Sequence, residues 1–365
     1  MKQGRTLQEL GQELSRQREA RKDFISDTRS LAMDSSIPGG RFFIALGDDT
    51  QEYTIGETAH AQIAARLQIP YRYYQKMQKE YPTLLDENVN GWFRQSPERR
   101  MIRVLDGNVR AFLSDRYRRL DNLELCAAVL PVIQEMKDAA IMSCEVTESH
   151  LYLKVVNKKL KAEVGIGDVV QAGFVVSNSE VGLGSLKVEP LIYRLVCKNG
   201  LIVKDYAQKK YHVGRQVVAE DDAAYELYSD ETLAQDDKAF FMKVQDTVRC
   251  AVDAAKFHVT VDKMREVMEI PLADNPVQAV EELADRFLLT QNERGDVLRQ
   301  LFMGGDSSRY GLINAVTAAS KLADSYERAT ELERIGGELL ALPVPQHIAV
   351  RERNVTPLRK RLVQA

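Results

Sequence analysis

The sequence predicts an α+β fold, in which an antiparallel β-hairpin-rich sheet with packed helices is followed by a helical C-terminal region. Three observations lead to this prediction. Short apolar segments joined by turn residues are concentrated between residues 101 and 203, helical spacing of apolar residues dominates after residue 238, and an acidic segment separates the two regions. At 365 residues, with 44% hydrophobic and 28% charged residues, the chain can bury a large core without disulfide bonds.

Residues 1–40 are predicted to form a polar N-terminal arm, partly helical, because Glu, Gln and Arg alternate there around few apolar positions. The Ser-, Pro- and Gly-rich residues 35–40 predict a loop at its end. No apolar stretch approaches the roughly 18 residues of a membrane helix, and the first 29 residues do not have the pattern of a signal peptide. We therefore expect a cytoplasmic protein.

Residues 41–218 are predicted to form an α+β core domain, which begins with a strand at 41–46. Helical spacing over 57–81, interrupted at Pro70, predicts two helices at a corner. Residues 61–70 resemble the first helix and turn of a helix-turn-helix, which would place Arg72, Lys76 and Lys79 on the second helix. Such a helix pair also occurs as an ordinary part of a core, and from the sequence alone this second interpretation is favoured.

The segment 101–203 contains several hairpin signals. Asp106-Gly107 joins predicted strands at 101–105 and 109–113, a helix follows at 123–139, and further strands are predicted at 141–146, 151–156, 169–176 and 186–196, with a turn at Asn199-Gly200. Residues 219–237 carry eight acidic residues and no basic residue, which predicts a solvated linker. Residues 238–365 are predicted to form the helical C-terminal region, with Gly304-Gly305 and Gly336-Gly337 as breaks.

The most informative segment, 94–119, has eight arginines against three acidic residues, an excess of five positive charges. If Asp106-Gly107 is a two-residue turn, Val104 faces Val109 and Arg103 faces Arg110, with both arginines on the outer face of the hairpin beside Phe112. Like charges directly opposed across a ladder destabilise it unless an anion lies over them. A nucleic-acid backbone would supply that anion. The alternatives are that carboxylates of the same chain pair with these arginines, or that a longer turn changes the register.

A second basic region, 187–215, has seven basic and two acidic residues with tyrosines between them. This pattern suits phosphate contacts combined with base stacking, although a lysine-protected strand edge has the same composition. The two basic regions together give the predicted nucleic-acid-binding residues. They are Arg103, Arg110, Phe112, Arg116, Tyr117, Arg118, Arg119, Tyr193, Arg194, Lys198, Lys204 and Tyr206.

The sequence contains no persuasive catalytic motif, and neither a cofactor nor a metal site is predicted. The four cysteines are widely spread, which indicates reduced and mostly buried thiols. The five histidines lack metal-binding spacings, and neither a P-loop nor a G-x-S-x-G elbow is present.

Five stretches occur in a distinctive order: NVNGW at 88–92, LSDRYRRLDN at 113–122, and the segments 173–184, 193–200 and 310–317. Together they resemble a family of phage- and plasmid-borne proteins catalogued as domain of unknown function 932, over residues 40 to 340. The resemblance implies a gene of mobile elements and no active site that could be transferred. The predicted architecture is also similar in outline to phage single-strand annealing proteins, which is an analogy of fold alone.

The leading functional hypothesis is a single-stranded nucleic-acid-binding protein, with DNA favoured, that acts as a homo-oligomer in annealing or recombination. The first alternative is a metal-dependent nucleic-acid enzyme that uses carboxylates such as Glu145, Glu163 and Asp168. The second is an interaction protein that inhibits or scaffolds a host factor through its helical C-terminal region. The acidic segment 220–237 could also compete with phosphate for a basic groove, although a solvated linker is the simpler interpretation.

Overall fold

A computed structural model describes residues 1–37, 40–117, 119–203, 230–272 and 275–343. Two β-sheets with helices on their faces form the architecture, and a helical region follows them, so the predicted α+β fold class is confirmed. The predicted residues Arg118, Lys204 and Tyr206, and part of the predicted linker, lie outside the described residues.

The first sheet has six strands in the order β1-β5-β6-β4-β3-β2. Its pairs are antiparallel except for β4 and β6, which are parallel. Its strands are β1 (Arg21–Asp27), β2 (Leu31–Asp34), β3 (Arg41–Leu46), β4 (Asp49–Ile55), β5 (Arg99–Leu105) and β6 (Asn108–Ser114). The predicted turn between β5 and β6 is present, because Asp106 and Gly107 have positive φ values of 52° and 74°, as a type I′ turn requires.

One face of the first sheet is covered by α2 (Glu57–Arg66), α3 (Tyr71–Glu80) and α4 (Pro82–Gln95). Buried apolar side chains of these helices pack against Phe42, Ile102 and Val109 of the strands. Full burial of each such side chain contributes about 1.5–3 kcal/mol, so the three helices are held firmly on the sheet.

The second sheet has five antiparallel strands in the order β11-β10-β9-β8-β7. They are β7 (Ala139–Val146), β8 (Leu151–Gly165), β9 (Asp168–Asn178), β10 (Lys187–Arg194) and β11 (Asn199–Ile202). Helices α1 (Leu7–Ala20), α5 (Asn122–Glu135) and α6 (Asp230–Arg249) cover one face. The predicted turn at Asn199-Gly200 is instead the beginning of β11.

The other face of the second sheet packs against the C-terminal helices, which confirms the helical region. They are α7 (Ala254–Met268), α8 (Pro276–Phe287), α9 (Gln291–Gly304), α10 (Arg309–Ala319) and α11 (Tyr326–Ala341). The pair Gly336-Gly337, for which the sequence predicts a helix break, lies inside α11. A Cβ at Gly337 would be 1.9 Å from the carbonyl oxygen of Ile202, so these glycines allow α11 to approach β11 closely.

The N-terminal segment differs from the predicted arm. Residues 1–40 include helix α1 and strands β1 and β2, and β1 pairs with β5 along its whole length. The acidic segment 219–237 also differs, because its residues from Asp230 onward belong to α6. Within the described residues, no helix combines the length and apolar composition that a membrane span requires.

Candidate nucleic-acid interface

The predicted opposition of Arg103 and Arg110 across the hairpin is wrong. Val104 faces Val109 as expected, but the register shifts between Arg103 and Val104, so that Arg103 faces Ala111. Arg110 is the additional residue of a β-bulge. The two guanidinium groups are therefore not a like-charge pair in the ladder.

Arg103 is fully buried between the first sheet and the connection that follows β9. Its guanidinium donates two hydrogen bonds to the Asp23 carboxylate at 3.1 Å, one to Asp121 at 2.8 Å and one to the Glu180 carbonyl at 3.0 Å. Burial alone would raise the pKa of Asp121, but the hydrogen bonds and charges of Arg103 and Arg21 hold that pKa below its usual value. Carboxylates of the same chain thus supply the counter-charge that an external polyanion was predicted to supply.

Arg110 has its own carboxylate partner. It donates to Glu180 Oε2 at 2.6 Å, and the other oxygen of that carboxylate accepts the Asn122 backbone N–H, also at 2.6 Å. The Arg110 side chain is 13% exposed, so it lies in a cleft beneath α1 and not on the outer surface.

Two of the predicted stacking aromatics, Phe112 and Tyr193, are not available to a nucleobase. Phe112 is 3% exposed and stacks on Phe93 in the core, and Tyr193 is 5% exposed. Tyr117 is half-buried, and its hydroxyl donates to the Ser179 carbonyl at 3.0 Å. Stacking requires an open ring face, which Phe112 and Tyr193 lack.

The other predicted residues are scattered. Arg194 is partly buried and bonded to Asp168 at 2.6 Å. Arg116, Arg119 and Lys198 are exposed, and Arg119 lies 3.7 Å from Asp23. The structure therefore does not bring the predicted set together on one open surface.

The helix pair α2 and α3 forms as predicted, and a short turn joins the two helices. Four residues, 67–70, connect the helices. Gln68 is in the left-handed region with φ of 56°, and the Ile69 N–H donates to the Ala64 carbonyl at 2.9 Å, which closes the C-terminus of α2. Ile63 of α2 and Met77 of α3 are buried in one core, so the two helices pack as a unit.

Helix α3 presents one cationic face to solvent. Arg72, Lys76 and Lys79 are exposed and follow the i, i+4, i+7 spacing of a single stripe, with exposed Gln75 between them. Among the described residues, neither Arg72 nor Lys79 has an ion-pair partner, and Lys76 lies 3.8 Å from exposed Glu80. Gln75 is not among the residues selected from the sequence, although its position three residues after Arg72 could have identified it.

Polar contacts hold α3 against α2. The hydroxyl of buried Tyr74 lies 2.9 Å from His60 Nδ1, and Gln78 Nε2 lies 3.2 Å from His60 Nε2. At the N-terminus of α2, Glu57 accepts a hydrogen bond from Tyr71 at 2.6 Å and one from Gln75 at 3.3 Å. Burial and the Glu57 carboxylate raise the pKa of Tyr71 to about 12. The outward face of α3 is therefore fixed relative to α2.

His60 should make the stability of this helix pair depend on pH. Burial lowers the pKa of His60, because the ring lies in the core, and the Glu57 carboxylate only partly opposes this shift. As pH falls through about 6.5, the unfolded chain binds the proton first, so the free energy of unfolding decreases. We expect His60→Gln to reduce this dependence, measured as the change in midpoint of thermal unfolding between neutral and acid pH. Replacing exposed His258 by Gln is the matched control and should leave the dependence unchanged.

The carboxylates considered for metal-dependent chemistry are engaged elsewhere. Glu145 pairs with Arg5 at 2.7 Å, Glu163 accepts the Gly167 N–H at 2.5 Å, and Asp168 bonds to Arg194. Within the described parts of the chain, no group of three or more His, Cys, Asp or Glu side chains could hold a metal ion.

Comparison with protein families matches residues 111–337 to the domain of unknown function DUF932. The chain belongs to this family. Searches of curated proteins and of solved structures gave no match.

The DUF932 segment begins within β6 and includes α5, the second sheet and most of the C-terminal helices. It excludes α1 and the α2–α3 pair, which precede residue 111. The cationic face of α3 is therefore a feature of this chain outside the part that defines its DUF932 membership.

Proposed function

We propose that the protein binds nucleic acid through the outward face of α3. The observation that carries the proposal is the exposed stripe of Arg72, Lys76 and Lys79, in which two of the three cations have no ion-pair partner among the described residues. A fixed row of cations on a helix is complementary to a phosphate backbone. The net charge of −3 for the whole chain does not oppose this, because binding depends on the local charge.

The sequence predicted single-stranded nucleic acid as the partner; this proposal keeps nucleic acid as the partner but moves the binding surface. A groove for single strands built on Arg103, Phe112 and Tyr193 would require side chains that are buried. The face of α3 requires no rearrangement, because its cations already point to solvent. Action as a homo-oligomer, a role in a mobile element and a cytoplasmic location belong to the same proposal.

Replacing all three cations of α3 by alanine tests the proposal. We expect the Arg72→Ala/Lys76→Ala/Lys79→Ala variant to bind a labelled oligonucleotide roughly 10- to 1,000-fold more weakly at low salt. The slope of log K against log salt should decrease in magnitude by about 0.7–0.9 for each phosphate that the variant no longer neutralises. Fluorescence anisotropy titrations at several salt concentrations would measure both quantities.

The matched control removes three exposed cations from β8. Lys158→Ala/Lys159→Ala/Lys161→Ala changes the net charge by the same amount on a different surface, and its binding should stay close to that of the parent chain. Equal weakening by both variants would show that total charge, and not α3, determines binding. An absence of binding by the parent chain at low salt would refute the proposal.

A further inference from the structure

We infer that α3 inserts into the major groove of double-stranded DNA. This inference rests on the proposed function, since it specifies the nucleic acid that the same surface binds. It is carried by three features of the α2–α3 pair: the shape of the exposed face, the side chains on it, and the support behind it.

The exposed face of α3 is convex. Ten residues of α-helix extend about 15 Å, and a helix of about 10–12 Å in diameter fits the roughly 12 Å width of the major groove. Single-strand binders instead use a concave basic groove lined by open aromatic faces. Of the three tyrosines in α3, Tyr73 is 51% exposed, Tyr71 is half-buried and Tyr74 is buried, so α3 has no row of stacking platforms.

The side chains on this face match the chemistry of base edges and phosphates. Arg72 is in the first turn of α3, where a recognition helix contacts bases, and its guanidinium can bind the O6 and N7 acceptors of guanine. The Gln75 carboxamide, one turn later, donates to Glu57 at 3.3 Å in this structure, and by exchanging that contact it can bind the N6 donor and N7 acceptor of adenine. Lys76 and Lys79 continue the stripe toward the C-terminus of α3, where they suit phosphate contacts.

The support behind α3 keeps this face in place. Tyr74 and Met77, on the side opposite the cations, are buried in the core beneath the helix. Helix α4 begins at Pro82, two residues after α3 ends, and contacts α3 while also packing against β2. A recognition helix requires such a rigid mounting, because base contacts depend on accurate side-chain placement.

The experiment uses the full chain and a pool of duplexes with a randomised centre, with the separated strands of the same pool as the second probe. We expect the parent chain to retain duplexes at salt concentrations at which it releases single strands. Dimethyl sulfate footprinting of retained duplexes should show protection of guanine N7, which lies in the major groove, and not of adenine N3, which lies in the minor groove.

Two variants separate base contacts from phosphate contacts. Gln75→Ala should weaken binding to the retained duplexes by roughly 5- to 150-fold and relax their sequence preference at one position. Lys79→Ala should weaken binding to all duplexes alike. Both side chains are exposed, and an unchanged midpoint of thermal unfolding would confirm that each variant folds.

The outcomes distinguish this inference from the proposed function. Preferential binding of single strands, or protection of adenine N3 alone, would overturn the major-groove inference and leave nucleic-acid binding by α3 in place. The inference would likewise be overturned if Gln75→Ala retained duplexes as well as the parent chain and if guanine N7 stayed unprotected in the retained duplexes. Failure of the parent chain to bind either probe would overturn both.

Discussion

Replacing Lys154 with methionine should lower the free energy of unfolding by about 3–5 kcal/mol. Lys154 and Glu333 are both fully buried, and the Lys154 ammonium lies 2.7 Å from Glu333 Oε2 and 4.6 Å from the centre of the Tyr326 ring. Burial lowers the pKa of Lys154, and Glu333 opposes that shift. Removing the ammonium leaves the Glu333 carboxylate in the core, where its Oε1 lacks a hydrogen bond. The Met1 amino group lies 3.9 Å from that oxygen, but burial lowers the pKa of this amino group to about 5, so it offsets the carboxylate charge little at neutral pH.

Urea denaturation followed by circular dichroism would measure this loss. The double variant Lys154→Met/Glu333→Leu removes both charges and should recover most of the stability, because it leaves no uncompensated charge in the core. Lys159→Met is the matched control on the same strand, since Lys159 is exposed and its pair with Asp138 is worth at most about 1 kcal/mol. A single variant as stable as this control would show that the buried pair contributes little.

Replacing Arg103 with methionine should cost about 3 kcal/mol, the lower end of the range for breaking a buried ion pair. The lower end applies because Arg21 remains beside Asp121 after the change. Arg103 donates to Asp23, Asp121 and the Glu180 carbonyl, so its removal leaves acceptors in the interior without their donor.

The same denaturation experiment applies to this variant. Arg119→Met is the control, because Arg119 also lies near Asp23, at 3.7 Å, but has a side chain that is 55% exposed. For this variant we expect a loss in the free energy of unfolding below about 1 kcal/mol. Adding Asp23→Asn to Arg103→Met should restore only a small part of the stability, because Arg21 and Arg119, each 3.7 Å from Asp23, remain beside its carboxylate. A loss for Arg103→Met no greater than that for Arg119→Met would contradict the structural role of Arg103.

Local signals in the sequence predicted much of the fold. The Asp106-Gly107 turn, the strands on either side of it, the helix after Asp121 and the two helices around Pro70 all depend on residues close in sequence. Helical spacing also placed Arg72, Lys76 and Lys79 together on α3, although the sequence favoured an ordinary core element over a binding surface for this helix pair. What the sequence could not decide was whether that side would be exposed.

The misplaced arginines have a different cause. Strand β1 was not predicted because its sequence is polar, yet Asp23 lies directly opposite Arg103 in the ladder between β1 and β5. A strand whose charged side chains form buried ion pairs has the same composition as a solvated segment. From its sequence alone, β1 therefore looked like part of a solvated arm. The bulge at Arg110 depends on contacts with Glu180, which is 70 residues away, and no local pattern encodes it.

The sequence predicted a break within α11 for a comparable reason. Gly336-Gly337 has the composition of a helix break, but its position is determined by how closely α11 approaches β11. Similarly, Lys154 resembles its exposed neighbours Lys158 and Lys159 in sequence, and only the packing of α11 distinguishes it. Long-range partners, which a single sequence does not show, decide these positions.

The family match begins at residue 111, in the middle of β6. The buried ion-pair cluster around Arg103 combines residues from both sides of that point, because Arg103 precedes it while Asp121 and Glu180 follow it. A fragment that starts there would separate β6 from β5 and leave Glu180 and Asp121 without Arg103. We therefore expect residues 111–337 not to fold on their own, because residues 1–110 supply a neighbouring strand and the buried counter-charges of this segment.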